Sequence, residues 1–184
     1  MKAAEKEFLA EFICESDAIE KIRDDLKLLE GQIAKGKYDG HVGAMLLLES
    51  LARNEVGCSV DKKLVCCIQG LITAEQHQKP GGRKLQREWV GRYRKMDVWI
   101  DGRKCLDPES VPRAMDDLLQ EIRQWQEIAK TQSLEENVRN VADFHFRFER
   151  IHPFADGNGR TGRALVWYIF KCADIGPLIF TKYD

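Results

Sequence analysis

His152-Pro153-Phe154-Ala155-Asp156-Gly157-Asn158-Gly159-Arg160-Thr161-Gly162-Arg163 is the stretch that decides how this chain folds. A helical pattern opened by the capping box at Ser133 runs into it, and Pro153 must end that helix. A second helical pattern begins at Arg160 and continues to Ala173. The stretch therefore predicts a tight turn between two helices, within a helix–loop–helix over residues 143–173.

The turn itself has the composition of a phosphate-binding loop. Gly157 and Gly159 allow positive φ angles and let a ligand approach the backbone closely. The helix that follows adds free N–H groups and the positive end of its dipole, which favour phosphate oxygens. Arg160 and Arg163 lie three residues apart on that helix, so their guanidinium groups can hold further phosphates.

Two further side chains of the stretch have suitable chemistry. Asp156 can bind Mg²⁺, an ion that prefers carboxylate and phosphate oxygens together. His152 lies just before the turn, where it can take a proton from an attacking hydroxyl. Each feature alone has an ordinary explanation, since such a turn is often only a turn and such arginines often face solvent. The functional hypothesis rests on their occurrence together within twelve residues.

The rest of the chain is mostly helical by its apolar spacing. We expect a helix over residues 5–35, with apolar residues from Phe8 to Ile33 on one face, and a buried helix over Val42–Ala52. We also expect a helix over Val60–Thr73 capped by Ser59, a loop at Lys79–Lys84, and a helix starting at Asp107 or Ser110. The last has an apolar face formed by Met115, Leu118, Leu119, Ile122 and Trp125. In the helix before Pro153, we expect Val138, Val141, Phe144, Phe148 and Ile151 to face the core, and Gly176-Pro177 to stop the last helix.

One segment has extended character. Residues Tyr93–Ile100 run into Asp101-Gly102, which is a frequent turn between antiparallel strands. A short second strand is expected over Arg103–Leu106. The fold class is therefore mostly α with a single β-hairpin.

Composition excludes several functional classes. The formal net charge is −1 and no run of 18 apolar residues occurs, so we expect no nucleic-acid partner and no membrane span. The six cysteines form no C-x-x-C pair, which gives zinc little support and favours reduced thiols over a disulfide framework. These features favour a cytoplasmic protein, with secretion as an effector left open.

The twelve residues resemble the signature of the Fic family, His-x-Phe-x-Asp/Glu-Gly-Asn-Gly-Arg-x-x-Arg, at every defined position. The resemblance implies a single Fic domain over residues 1–184, built as a helical bundle with one hairpin. Such domains mostly transfer AMP from ATP to a Ser, Thr or Tyr hydroxyl of a target protein. ATP and Mg²⁺ are then the implied substrate and cofactor, and a protein of unknown identity is the implied partner.

The resemblance also assigns roles to the residues of the signature. His152 corresponds to the general base, and Asp156 corresponds to the Mg²⁺ ligand. Phe154 is expected to be buried and to pin the loop to the core. Phosphate binding is assigned to Gly157, Asn158, Gly159, Arg160 and Arg163.

The hairpin resembles the family's flap, which we place at residues 91–106. Its open strand edge can align a target chain by β-addition. We expect Met96, Asp97 and Val98 to contact the target; an ordinary hairpin with a buried Trp99 is compatible with this role. Members of the family often self-associate, and the sequence leaves a homo-oligomer open.

Residues 16–21 resemble the family's inhibitory helix, whose pattern is Ser/Thr-x-x-x-Glu-Gly/Asn. Ser16 and Glu20 fill this pattern, whereas Lys21 stands where Gly or Asn is usual. The resemblance implies that Glu20 pairs with Arg163 in the place of the γ-phosphate and so inhibits the enzyme. The positive charge of Lys21, which departs from the pattern, is expected to compete for the Glu20 carboxylate. Glu55 is a rival candidate, but Leu51 stands where the pattern requires Ser or Thr.

Several alternatives to AMP transfer remain at this point. Doc-type relatives transfer phosphate and have Lys where this chain has Gly159, which disfavours a kinase. Phosphocholine transfer, removal of AMP from a modified target, and nucleotide binding without turnover are the others. Family members usually continue past the position of Asp184 with a helix that helps to enclose the base. We therefore expect either an incomplete adenine pocket or a shortened chain.

Overall fold

Seven α-helices and one short hairpin make up the part of the chain described by this computed structural model, residues 1–54, 58–74, 85–176 and 178–181. The helices are α1 (Ala3–Ile19), α2 (Leu26–Lys35), α3 (Gly40–Arg53), α4 (Lys62–Thr73), α5 (Val111–Ile128), α6 (Leu134–Ile151) and α7 (Asn158–Cys172). The strands are β1 (Trp99–Ile100) and β2 (Arg103–Lys104). The expected mostly α fold with one hairpin is confirmed.

Helix α7 lies at the centre of the bundle. Almost all of its residues from Asn158 to Phe170 are buried, including Trp167 and Tyr168. Helices α1, α3, α4 and α6 all pack against it. The glycine-rich turn before α7 therefore leads directly into a helix that is buried along almost its whole length.

The single helix expected over residues 5–35 is wrong, because the chain breaks after Ile19. Lys21 has a positive φ of 60°, and the N–H of Ile22 donates to the Asp17 carbonyl at 2.9 Å. Asp25 then caps α2 by accepting a hydrogen bond from the Leu28 N–H at 3.0 Å. The apolar period continues through the break, so periodicity alone does not reveal it.

Helix starts and faces were predicted with mixed success. The Ser133 capping box is confirmed, and the five apolar residues expected on α5 are buried. Asp61 rather than Ser59 caps α4, because its carboxylate accepts from the Leu64 N–H at 2.8 Å. Val138 is exposed rather than buried. The expected loop at 79–84, the rival inhibitory residue at position 55 and the proline at 177 lie outside the described residues.

The hairpin is shorter than the sequence indicates. Trp99 pairs with Lys104 and Ile100 with Arg103, while the Cys105 N–H donates to the Val98 carbonyl at 2.9 Å. All four residues of β1 and β2 are exposed, and Trp99 keeps 62% of its surface accessible. The expected burial of Trp99 is therefore wrong, and the hairpin projects from the helical body.

Two of the six cysteines are joined. Cys58 and Cys172 form a disulfide that links the segment before α4 to the end of α7. The expectation of reduced thiols is wrong for this pair, and cysteine spacing gave no sign of a bridge across 114 residues of sequence. Among the described residues, no helix combines the length and apolarity that a membrane crossing requires.

Candidate active site

The loop between α6 and α7 is closed by Asn158. Its side-chain oxygen accepts from the Phe154 N–H, and its side-chain nitrogen donates to the Phe154 carbonyl, both at 2.9 Å. Phe154 is fully buried, as expected, and packs on Tyr93. Because the Asn158 amide is used inside the loop, only its main-chain N–H remains for an anion. The loop thus has a fixed shape before any ligand arrives.

The two loop glycines are required for different reasons. Gly157 has a φ of 78°, and a Cβ at this residue would lie 2.6 Å from Thr73 Cγ2. A Cβ at Gly159 would collide with the carboxylate of Glu20. The first main-chain bond within α7 runs from the Thr161 N–H to the Gly157 carbonyl, so the N–H groups of residues 158–160 are not used by the helix. This helix start therefore provides donors for an anion.

His152 ends α6 in the left-handed conformation, with a φ of 50°. Its Nδ1 atom is buried 4.0 Å from Glu149 Oε2, while the side chain keeps 16% of its surface exposed. Nε2 is therefore the nitrogen available to a hydroxyl. Burial lowers the pKa of His152 and the charge of Arg94 lowers it further, while the Glu149 backbone and the charges of Asp156 and Glu20 act in the opposite direction without outweighing burial. The imidazole is consequently neutral at neutral pH, as a base must be.

Glu149 is an unusual carboxyl group behind this histidine. Burial raises its pKa to about 7, although the charge of Arg163 opposes this effect. Its Oε1 atom is buried without a hydrogen-bond partner in the part of the chain that the structure describes. The neighbouring His145 is half-buried, and burial lowers its pKa to about 4, so its imidazole is neutral at neutral pH.

Arg163 is bound entirely by the end of α1. Its Nε donates to Ser16 Oγ and one terminal nitrogen donates to the Ser16 carbonyl, both at 2.9 Å. The same terminal nitrogen donates to Glu20 Oε1 at 2.8 Å. The Arg163 side chain is buried, whereas Glu20 is 39% exposed. The Glu20–Arg163 pair that the resemblance implies is therefore present, with the Glu20 carboxylate lying over Gly159, and the Ser16 contacts are added to it.

The second arginine of the turn also faces α1. Arg160 Nε lies 3.9 Å from Asp17 Oδ1, and His41 Nδ1 lies 3.1 Å from the same oxygen. Burial raises the pKa of Asp17, but the hydrogen bond with His41 and the charge of Arg160 outweigh it and leave that pKa below its usual value. All three side chains are buried. Asp17 and His41 were missed by sequence reasoning, although Asp17 lies inside the segment that was singled out.

Asp156 lies at the rim of the same loop. Its Oδ1 accepts from the Gly157 N–H at 2.6 Å, and its carbonyl accepts from Gln69 Nε2 at 3.0 Å. Among the described residues, no group of three or more His, Cys, Asp or Glu side chains could hold a metal ion alone. A single carboxylate instead fits Mg²⁺ that takes its remaining ligands from phosphate and water.

Most of the residues described above lie in a segment of the chain that matches a known protein family. The sequence profile of the Fic/DOC family matches residues 59–170, which include α4, the hairpin and the whole catalytic loop. The chain belongs to the Fic/DOC family. This membership accounts for the helical bundle, the hairpin and the glycine-rich turn together.

Curated Fic relatives are similar over most of this chain. A protein adenylyltransferase Fic of Drosophila persimilis is 30% identical over 132 residues, 72% of this chain and 24% of the relative. The protein adenylyltransferase Fic of Nematostella vectensis is 28% identical over all of this chain and 42% of its own length. A probable protein adenylyltransferase of Aquifex aeolicus is 42% identical over 74 residues, 40% of this chain and 22% of the relative. The chain thus spans less than half the length of each of these relatives.

Solved Fic structures share the fold at lower identity. A Fic-domain-containing signaling protein of Bacteroides thetaiotaomicron has a TM-score of 0.72 at 19% identity, covering 97% of this chain and 68% of the other. Fic-1 of C. elegans has a TM-score of 0.65 at 18% identity, covering 92% of this chain and 50% of the other. At these identities the likeness establishes the fold.

A groove of about 1280 Å³ lies between the hairpin and helices α5 and α6. Its lining includes Ile100, Leu106, Phe146, Glu149 and Ile151, so it reaches the end of α6 that carries His152. The expected flap residues lie on the approach to β1: Met96 and Val98 are half-buried, and Asp97 is exposed. Asp97 also pairs with Lys104 across 3.2 Å.

Two buried side chains, Gln69 and Arg94, connect the hairpin to the loop between α6 and α7. Sequence reasoning missed both of them. Gln69 donates to the Asp156 carbonyl and accepts from the Gly91 N–H. Arg94 donates to main-chain carbonyls on the hairpin and at the end of α6. Their position gives no signal in a single sequence, apart from the closeness of Arg94 to the flap.

Proposed function

We propose that this chain is a protein adenylyltransferase that transfers AMP from ATP to a Ser, Thr or Tyr hydroxyl of a target protein, and that Glu20 inhibits it. The observation that carries this proposal is the Glu20 carboxylate, which lies on Arg163 above the N-terminus of α7. An anion therefore occupies the place where the loop offers a guanidinium and free N–H groups. The curated relatives are protein adenylyltransferases by name, which favours the same activity.

The reaction is an in-line displacement at the α-phosphorus. The target oxygen forms a bond to that phosphorus, the bond to the bridging oxygen breaks, and pyrophosphate leaves with the bonding electrons. His152 takes the proton of the attacking hydroxyl through Nε2. General-base catalysis of this kind typically contributes about 10²- to 10⁴-fold. The N–H groups at the start of α7, together with Arg160 and Arg163, would compensate the charge on the phosphates.

The proposed metal ion is Mg²⁺, which Asp156 would hold. Bound there with the nucleotide, Mg²⁺ would neutralise charge on the phosphate oxygens. A second carboxylate is unnecessary because phosphates and water complete the coordination that Mg²⁺ prefers. The Asp156 side chain bonds to the next N–H, which fixes its direction before the nucleotide binds.

Inhibition follows from competition for Arg163. A carboxylate and a γ-phosphate bind the same guanidinium, so both cannot occupy it together. Ser16 adds two contacts to Arg163 from the same helix, and these hold α1 in place while Glu20 reaches the loop. ATP that enters while Glu20 remains would be displaced from the orientation that transfer requires. Among the described ion pairs none joins Lys21 to Glu20, so the expected competition from Lys21 has no support.

The target would dock where the hairpin meets the groove. Met96, Asp97 and Val98 precede or begin the strand ladder, so their outer edge can align an extended target segment by β-addition. The groove beside them leads to the end of α6, which would bring the target hydroxyl towards His152.

The test is labelling with α-³²P ATP and Mg²⁺, using the wild-type chain, Glu20→Gly and Glu20→Gly with His152→Ala. We expect weak labelling of the wild type and at least tenfold stronger labelling of Glu20→Gly. The double variant should lose this gain, by roughly 100-fold or more, because the base is absent. Glu15→Gly is the matched control, because it changes an acidic residue of α1 for which the structure records no contact with Arg163.

Three outcomes separate the alternatives. Intact-mass analysis of the labelled product would show AMP, a phosphate or another group by the mass that is added. Release of AMP from a labelled target by the wild type would favour removal instead of transfer. If Glu20→Gly binds ATP but transfers nothing with any nucleoside triphosphate, the proposed function is wrong and a binding module is favoured.

A further inference from the structure

Arg94 is a buried charge without a carboxylate partner in the part of the chain that the structure describes. It is only 2% exposed, at the base of the hairpin. Its guanidinium donates to the carbonyls of Met96, Leu106, Ile151 and His152, with the Met96 and His152 contacts at 2.8 and 2.7 Å. Its main-chain N–H donates to the Pro153 carbonyl at 2.9 Å. Burying a charge costs free energy, and here only carbonyl oxygens offset that cost. Such an arrangement indicates a structural role for the guanidinium.

The carbonyls belong to two parts of the site. Met96 leads into β1 and Leu106 follows β2, so the guanidinium binds both legs of the hairpin. Ile151 and His152 end α6, where the last carbonyls lack helical partners and form the negative end of the helix dipole. One planar group with donors in a fixed fork therefore connects the flap to the residue that carries the imidazole.

Among the described residues, few contacts hold the hairpin near its tip. Every residue of β1 and β2 is exposed, and neither strand packs extensively on a helix. The direction of the hairpin relative to His152 must consequently be set at its base, where Arg94 lies. The same direction decides where a target segment aligned on the flap presents its hydroxyl.

We propose that Arg94 is a positioning residue for group transfer, which holds the flap and the His152 backbone in one geometry so that a docked hydroxyl reaches the imidazole. This inference rests on the proposed function. None of the Arg94 hydrogen bonds is to residues 157–160 or 163, which would bind the phosphates, so nucleotide binding should change less than protein transfer when Arg94 is replaced. Water can reach the site without being positioned by the flap. The rate of ATP hydrolysis to AMP therefore serves as the reference against which the rate of transfer to protein is compared.

The experiment uses Arg94→Met and Arg94→Lys in the Glu20→Gly chain, with Arg123→Met as a matched control. Arg123 also donates to a carbonyl, that of Val60, but far from the loop. Self-labelling with α-³²P ATP and hydrolysis of the same ATP are measured together, along with the KM for ATP. We expect self-labelling to fall at least tenfold relative to hydrolysis in both Arg94 variants, with a smaller change in KM. Arg123→Met should leave the ratio unchanged.

The pH profile separates positioning from a general loss of structure. Arg94, Asp156, Glu20 and the carboxyl of Glu149 all face His152, and only the first lies on the hairpin segment. Arg94→Met removes a positive charge, so the acid limb of hydrolysis should move to higher pH. Arg94→Lys keeps the charge and should leave that limb in place, while its single ammonium cannot bind both legs of the hairpin.

Hydrogen exchange gives a readout that needs no turnover. The Cys105 amide, which bonds to Val98, should exchange faster in both Arg94 variants than in Arg123→Met. Equal losses of labelling and hydrolysis, or labelling that is unchanged, would overturn the positioning role. If Glu20→Gly itself neither labels nor hydrolyses, the proposed function fails, and unchanged Cys105 exchange in Arg94→Lys would then count separately against Arg94.

Discussion

Neighbours decide the charge of each reactive side chain in this site. The His152 ring is neutral because burial and Arg94 disfavour its cationic form. Ser16 and Glu20 accept all of the observed hydrogen bonds of the buried Arg163 guanidinium. The behaviour of single residues therefore follows from contacts made across the fold.

The pH dependence of transfer should reflect the lowered pKa of His152. In the Glu20→Gly chain, activity should persist as pH falls through the ordinary histidine range near 6.5 and decline only below it. The effect on stability has the same origin. As pH falls below about 6.5, the unfolded chain binds the extra proton before the folded chain does, so His152 lowers the free energy of unfolding as pH decreases towards its folded-state pKa.

Labelling rates from pH 5 to 8 would check this dependence. Glu149→Gln is the control, since burial raises the pKa of Glu149 to about 7 and its titration falls in the same range. An acid limb centred at or above 6.5 that persists in Glu149→Gln would contradict the assigned base.

Lys21 lies in a conformation that suits glycine. Its φ of 60° costs an L-residue about 1 kcal/mol, and the Fic pattern has Gly or Asn at this position. Lys21→Gly should therefore raise the thermal midpoint by about 2 to 4 °C. The measurement is differential scanning calorimetry, with Lys6→Gly inside α1 as a control that should lower the midpoint. A lower midpoint for Lys21→Gly would show that the strain is not relieved.

The last turn of helix α1 meets both arginines of α7, which supports the proposed inhibitory role of this helix. Ser16 and Glu20 contact Arg163, and Asp17 lies near Arg160. The contacts lie one turn apart, so a single helix can present all of them. Removal of any one contact should weaken inhibition by less than removal of the whole helix.

Ser16→Ala tests the contribution of this docking. The change removes the hydroxyl that accepts from Arg163 Nε and leaves a buried charged donor without its partner, at a cost of about 2 kcal/mol. We expect a lower thermal midpoint and a rise in labelling that is smaller than that of Glu20→Gly. Cys14→Ala is the control on the same helix. Labelling of Ser16→Ala at the wild-type level, with a reduced midpoint, would limit Ser16 to a structural role.

Elements with their own capping or apolar signals could be predicted from the sequence. The catalytic loop, the Ser133 start of α6 and the buried face of α5 all have local signals. The break after Ile19 has none, because Lys21 adopts a left-handed conformation without being glycine. The contacts of Asp17 with His41 and of Arg94 with four carbonyls join distant segments. Such contacts depend on packing, which one sequence does not display.

The candidate site lies at the start of α7, and the rest of the bundle packs around this helix. Four helices pack on α7, and the Cys58–Cys172 disulfide ties its C-terminal end to the segment before α4. The N-terminal end of α7 lies against the last turn of α1, and α1 itself is anchored in the core by the buried Leu9, Phe12 and Ile13.

Loss of the disulfide should destabilise the whole fold. A bridge that closes a loop of this length restricts the unfolded chain and is typically worth about 2 to 4 kcal/mol. The thermal midpoint should fall when dithiothreitol is added, and Cys58→Ser with Cys172→Ser should show the lower midpoint without responding to the reductant. Equal midpoints in all samples would mean that the bridge adds nothing to stability.

A crystal structure of Glu20→Gly with ATP and Mg²⁺ tests the central claim most directly. We predict that the γ-phosphate binds Arg163, where Glu20 lies in the wild type, and that the α-phosphorus faces His152 Nε2 with space for one hydroxyl between them. A nucleotide bound elsewhere, or an α-phosphorus turned away from His152 with Arg163 free, would contradict the account.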